Sequence, residues 1–242
     1  MEPLFFGNCQ QLFGIYHPAQ GAPRGHGLLI AGPLLNETIR SQFALKQVAE
    51  RCAAKGYDVL RFDYSGLGNS PIRTTEVMLD VWVADIVEAS RELTALSGSK
   101  TRAVVAVRFS ANLVSELADH CNIDRLVLWD PLLTGTQWLE HLLEERDNLP
   151  AHLRVQICDD NKQYSGHEVG NGFADALRSR DLVRPTAGEV SAIVSRDYRH
   201  REVLETFTQS IEEVESDCAW QGNTNSVLYP TDVINTVCNR LE

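Results

Sequence analysis

Val104-Val105-Ala106-Val107-Arg108-Phe109-Ser110-Ala111-Asn112-Leu113 reads as a buried strand that turns sharply into a helix. This is the setting of the G-x-S-x-G nucleophile elbow, which presents a serine on a strained strand-to-helix turn. Strand and helix backbones nearly touch on either side of that turn. The positions two before and two after its centre must therefore be small. Centring the pattern on Arg108 puts Ala106 and Ser110 there, with Ala111 next. Centring it on Ser110 puts Arg108 and Asn112 there, and both are too large. The turn is expected at Arg108. A guanidinium stays protonated and offers only donors, so it cannot attack a carbonyl.

Strands and helices alternate on both sides of this stretch. Leu4–Phe6 and Gln11–Tyr16 read as a hairpin, and Gly27–Ala31 as a short buried strand. From Ile39 to Lys55, apolar residues at 39, 43, 45, 48, 49, 52 and 53 follow a helical period, and Gly56 ends the helix. Asp58–Phe62 is the next strand, Leu79–Leu96 a helix, Ala103–Val107 the strand before the turn, and Ser110–Ala118 the helix after it. Leu126–Trp129 is a further strand. Alternation of this kind predicts an α/β fold, a mostly parallel sheet covered by helices on both faces. The pattern becomes irregular and polar from 134 to 185, which predicts a small cap inserted over the carboxyl edge of the sheet. Val190–Val194, Glu202–Gln209, Val214–Trp220 and Thr231–Leu241 then read as strand, helix, last strand and closing helix. The whole of 1–242 is expected to be one domain.

The charge balance narrows the partners. Lys and Arg number 22 against 33 Asp and Glu, a net charge of -11. An acidic surface argues against nucleic acid and anionic membrane. No apolar run reaches membrane-spanning length, and Met1–Phe6 has no charged, apolar leader pattern. The six cysteines, at 9, 52, 121, 158, 218 and 238, form no C-x-x-C pair. Cys52 and Cys121 fall in apolar patterns, as core thiols do. These features describe a reduced, cytoplasmic protein. There is no H-E-x-x-H, Cys-His cluster or P-loop, so no metal, nucleotide or other cofactor is implied. Phe62-Asp63-Tyr64 with Gly66-x-Gly68 lacks dinucleotide-fingerprint spacing and reads as a strand-end turn.

Several segments carry a family resemblance. Ala31-Gly32-Pro33-Leu34-Leu35-Asn36-Glu37 followed by Ile39-Arg40-Ser41, Val59 to Ser70 (VLRFDYSGLGNS), Trp82 with Asp85-Ile86, and Leu126 to Pro131 (LVLWDP) resemble a bacterial branch of the alpha/beta-hydrolases. Arg108 with its neighbours resembles the elbow of exosortase-associated, serine-aminopeptidase-like hydrolases, some of which carry arginine in place of serine. The resemblance covers about residues 25 to 135, and more loosely 185 to 242. It implies the alpha/beta-hydrolase fold and an acyl ester or thioester chemistry, and a fold does not decide a function.

A working enzyme of that fold needs a serine, an acid and a histidine in that chain order. The resemblance puts the acid at Asp197, in Ser195-Arg196-Asp197 after the post-cap strand. It puts the histidine in the loop 221–226, which has none. The last of the seven histidines is His200. The oxyanion donors fall on the N–H of Phe109 and on the loop after the third strand. There Pro33 has no N–H, and Leu34 supplies it if the loop is shifted by one. Ser110 is the nearest hydroxyl, either a small residue that fits the helix start or a displaced nucleophile. His167 lies in the cap and is a candidate to face a pocket. Arg108 has two readings. At a helix N-terminus on the carboxyl edge of the sheet it is an anion receptor for a carboxylate, phosphate or phosphopantetheine arm. Alternatively it forms an internal ion pair with Asp130 or Asp197. Three functions remain open: a non-catalytic protein binding an acyl or anionic small molecule, with a carrier protein or biosynthetic enzyme as partner; an acyl hydrolase with non-standard residues; and a lyase or cyclase without a covalent nucleophile.

Overall fold

The computed structural model describes residues 1–70, 78–98, 101–117, 123–148, 163–164, 167–170, 172–185, 188–216, 218, 220 and 230–241. The N-terminal hairpin is β1 (Glu2–Phe6) and β2 (Leu12–His17), paired antiparallel. β2 then runs antiparallel to β4 (Asp58–Asp63). From there the sheet is parallel: β3 (His26–Ala31), β5 (Thr101–Val107), β6 (Ile123–Trp129), β9 (Glu189–Ser195) and β10 (Ser210–Val214). The eight strands lie in the order β1-β2-β4-β3-β5-β6-β9-β10.

Both faces of the central strands are buried, so they read as continuous apolar runs rather than as alternations. Leu28, Ile30, Val59, Val105, Val107, Val127 and Ile193 share one cluster with residues of α1 (Asn36–Ala54) and α7 (Thr231–Arg240). Leu29, Leu60, Val104, Leu126 and Leu128 share another with residues of α2 (Met78–Ser97) and α3 (Ser110–Leu117). Gly56 ends α1 at φ +93, where an added Cβ would stand 2.5 Å from the Ala22 carbonyl oxygen. That position has room only for glycine.

Between β6 and β9 the chain makes α4 (Gly135–Asp147), the two-residue strands β7 (Gln163–Tyr164) and β8 (His167–Glu168), and α5 (Phe173–Arg178). The ends of this excursion are tied together by Gly135 N–H to Arg180 O and Leu182 N–H to Leu133 O, both 2.8 Å. A Cβ at Gly135 would lie 1.8 Å from the Leu177 carbonyl oxygen, so the helix start and the α5 end meet only because that residue is glycine.

Two boundaries differ from expectation. The helix expected over 202–209 is the single turn α6 (Arg201–Leu204), and the last strand is Ser210–Val214 rather than 214–220. Beyond α6, the Thr206 and Thr208 hydroxyls bond back to the Val203 and Leu204 carbonyls. Gln209 N–H then goes to Val190 O and starts the ladder. β10 is an edge strand, and only Val214 of its five residues is buried. Its Ile-Glu-Glu run therefore carries little apolar signal. No helix among the described residues is long and apolar enough to cross a membrane.

Candidate functional site

Three of the four non-glycine residues with positive φ among the described residues stand at the carboxyl ends of neighbouring parallel strands. They are Leu35 (φ +53) beyond β3, Arg108 (φ +55) after β5 and Asp130 (φ +43) after β6. Left-handed backbone at residues with side chains costs roughly 1–3 kcal/mol each and collects at functional positions. The turn between β5 and α3 thus has its sharp point at Arg108. It is braced by Arg108 N–H to Trp129 O at 3.0 Å and Ala111 N–H to Arg108 O at 3.1 Å.

The Arg108 side chain is sealed, with 5% of the residue exposed. Its Nε donates to Glu37 Oε1 at 2.9 Å and its Nη1 to the Asp130 carbonyl oxygen at 3.2 Å. Nη2 lies 3.4 Å from His141 Nδ1. The guanidinium carbon sits 5.3 Å from the centre of the Trp220 ring, a cation–π contact. Burial pushes the Glu37 carboxyl above the usual range, and the Arg108 charge pulls against it. Glu37 Oε2 is buried without a hydrogen-bond partner among the described residues. His141 is held down to about 4 by burial and then by Arg108, so it is neutral at pH 7 and accepts from the guanidinium.

This corrects the expected ion pair. The carboxylate on Arg108 belongs to Glu37, not to Asp130 or Asp197. Asp130 meets the guanidinium only through its carbonyl. Its Oδ1 accepts from Ser195 N–H (2.7 Å) and the Ser195 hydroxyl (3.1 Å), and its Oδ2 from the Trp220 indole N–H (2.7 Å). Asp197 is exposed, outside this cluster. His200 is also exposed, its Nε2 2.8 Å from Gln137 Nε2.

The remaining candidates are committed elsewhere. Ser110 is fully buried; its hydroxyl donates to Gly32 O at 2.6 Å and accepts from the Tyr64 hydroxyl at 2.9 Å. Phe109 is fully buried, stacked on Trp138 of α4 at 4.5 Å and 16° between ring planes. Trp138 continues to Trp82 and Phe173, so aromatic rings fill the space between the turn, α2, α4 and α5. Leu34 is fully buried as well. The loop 221–226, expected to hold the histidine of a working enzyme, lies outside the described residues, as do Cys121 and Cys158. Glu37, His141 and Trp220 were not singled out from the sequence as site residues. Glu37 had one legible signal, an acid in the first turn of a helix that starts at the carboxyl edge of the sheet.

A cavity of about 430 Å³ opens at the same edge; Gly32 and Tyr64 line it and Arg108 does not. Its apolar wall includes Phe13, Ile15, Ile39, Leu45 and Leu67, and its polar groups include Gln42, Arg61, Asp63 and His167. Its lining residues Gly32 and Tyr64 are joined through the Ser110 hydroxyl. Arg61 Nε donates to His17 Nε2 at 3.3 Å and Nη1 to Gln42 Oε1 at 3.1 Å. His17 is buried, which holds it down to about 4, with the Arg61 charge acting in the same direction. Burial also lowers His167, which half-buried reaches this cavity from β8. Among the described residues no group of three or more His, Cys, Asp and Glu is placed to hold a metal ion.

No protein-family model matches the chain, and no curated protein matches it. Solved structures do. A hydrolase from Pseudomonas aeruginosa PA01 superposes with a TM-score of 0.62 at 15% identity, over 99% of this chain and 98% of that one. Alpha/beta hydrolase domain-containing protein 10 from mouse gives 0.61 at 15% identity, over 100% and 97%. Proline iminopeptidase from Mycobacterium smegmatis gives 0.60 at 12% identity, over 95% and 94%. Together with the strand order and the parallel core, these likenesses establish that the chain has the alpha/beta-hydrolase fold.

Proposed function

We propose that this protein is a non-hydrolytic member of its fold, a binding protein for an acyl or anionic small molecule. In this reading Arg108 holds the place of the nucleophile. Trp220 holds the place of the base, with its indole N–H on a buried carboxylate as an imidazole N–H would be. That carboxylate is Asp130, which is buried, whereas Asp197 is exposed. The carrying observation is the sealed Arg108 guanidinium, paired with Glu37 and covered by Trp220. Such a cation offers neither a nucleophile nor a proton acceptor.

Residues 134–185 act as the cap in this reading. Trp138 stacks on Phe109 and Phe173 packs onto Trp138, so the space under the cap at the turn is occupied by protein and a ligand must bind elsewhere. A carrier protein or biosynthetic enzyme that delivers or takes up the ligand is a compatible partner.

The test is a fluorophosphonate probe on the purified protein, read by intact mass beside an active serine hydrolase. The expected result is no adduct on folded protein. An adduct on Ser110 or any other serine would restore covalent serine chemistry and overturn the reading.

A further inference from the structure

The cavity beside α1 combines an apolar wall with one guanidinium whose direct partners are neutral. We propose that it is a binding site for an aliphatic monocarboxylate, with the carboxylate on Arg61 and the chain along Phe13, Ile15, Ile39 and Leu45.

Arg61 is positioned rather than neutralised. The bonds to His17 and Gln42 orient the plane of the guanidinium and engage two of its donors. A planar guanidinium presents its remaining N–H groups as a fork that suits two carboxylate oxygens. Among the described residues no carboxylate lies within ion-pair distance of Arg61; Asp63 and Glu50 act on it only through space.

The other titratable groups facing the cavity are Asp63, Tyr64 and His167, and the Tyr64 hydroxyl is engaged by Ser110. Asp63 is turned into its own loop: Oδ2 accepts from Asn69 N–H at 2.8 Å and from the Asn69 side chain at 3.4 Å. Gly68 packs against it so closely that a Cβ there would lie 2.2 Å from Oδ2. Burial holds His167 below the usual imidazole value. Among the described residues the cavity wall thus carries one guanidinium, Arg61, and one carboxylate, Asp63, whose Oδ2 is engaged by Asn69. Ile39, 63% exposed, stands on the α1 side of the wall, where a chain would cover it. The cavity volume falls within the roughly 300–1,000 Å³ of small-molecule sites. Its position at the carboxyl ends of β3 and β4 is where open α/β sheets bind ligands.

Calorimetric titration of the full chain with hexanoate, octanoate and decanoate tests this, with decanol and decylamine as head-group controls. Decanoate is expected to saturate one site, and each added methylene to tighten binding about fourfold. Decanol and decylammonium are expected to bind at least tenfold more weakly. Arg61→Met should bring decanoate to the level of decanol. Equal binding of decanol, tighter binding of decylammonium, no saturable binding, or an unchanged folded Arg61→Met protein would each overturn the proposal. Ile39→Trp, at an exposed position that disturbs no core, is expected to block the cavity. Full decanoate binding by that variant would place the ligand elsewhere and overturn the proposal equally. The site does not depend on the state of the elbow. Fluorophosphonate labelling would end the non-hydrolytic reading and leave this one standing, and failure of decanoate binding would do the reverse.

Discussion

Two arginines stand at the carboxyl edge of one sheet, and their surroundings set opposite tasks. Arg108 is almost fully buried, faces the Glu37 carboxylate and lies against the Trp220 ring. Arg61 is half-buried, held by neutral His17 and Gln42, and lines a cavity. A charge moved out of water must find a partner or move its titration. Arg108 has found an internal one, so its charge serves the fold. Arg61 is aimed by neutral partners and has Asp63 and Glu50 only through space, so its remaining N–H donors are left for something from outside. The difference lies in the chemistry of the acceptor more than in depth.

The comparison breaks most sharply at Glu37. Removing one partner of a buried ion pair leaves the other uncompensated, so Glu37→Ala should lose about 3–5 kcal/mol in urea unfolding. If Glu37→Ala costs less than about 1 kcal/mol, Arg108 is not held by that pair. Combining Glu37→Gln with Arg108→Gln should recover part of the single-variant losses, a coupling of up to about 3 kcal/mol between contacting residues. Strict additivity would mean the two side chains act independently.

Trp220→Phe keeps the ring over Arg108 and strands Asp130 Oδ2, which should lower stability by about 1–3 kcal/mol. An unchanged midpoint would show that the indole N–H is not what fixes Asp130. Arg61→Met should be milder, about 1 kcal/mol, because both its partners are neutral and no buried charge is left unpaired. A loss as large as that of Glu37→Ala would erase the distinction between the two sites.

The smallest effects at neutral pH belong to the histidines and emerge only on acidification. His17 and His141 are each held down to about 4 in the fold, against 6.5 for the ordinary imidazole. Between those values the unfolded chain binds more protons than the folded one. Stability therefore rises with pH across that window and falls as pH drops from 6.5 toward 4. His17→Gln and His141→Gln should each flatten that limb in thermal melts between pH 7.5 and 4. An unaltered slope in both would show that these imidazoles protonate normally in the folded protein.

Much of the fold was legible because it depends on local pattern. Continuous apolar strands separated by helical periods specify a two-faced parallel sheet, and the small residues around Arg108 specify where strand and helix backbones must pass closely. The pattern failed at β10 and α6, where an edge strand with two adjacent glutamates carries little apolar signal. Asp197 was read from chain order alone, and the structure leaves it at the surface.

By itself the sequence determined that a cation, and no hydroxyl or thiol, sits at the sharp turn, because sterics around one residue settle that question. Only tertiary structure decided what the cation does. Glu37 is 71 positions from Arg108, and Trp220 is 90 from Asp130. His17 is 44 positions from Arg61. Such pairings depend on which strand ends the sheet order brings side by side. Whether an arginine is neutralised or left available depends on those neighbours, not on the arginine.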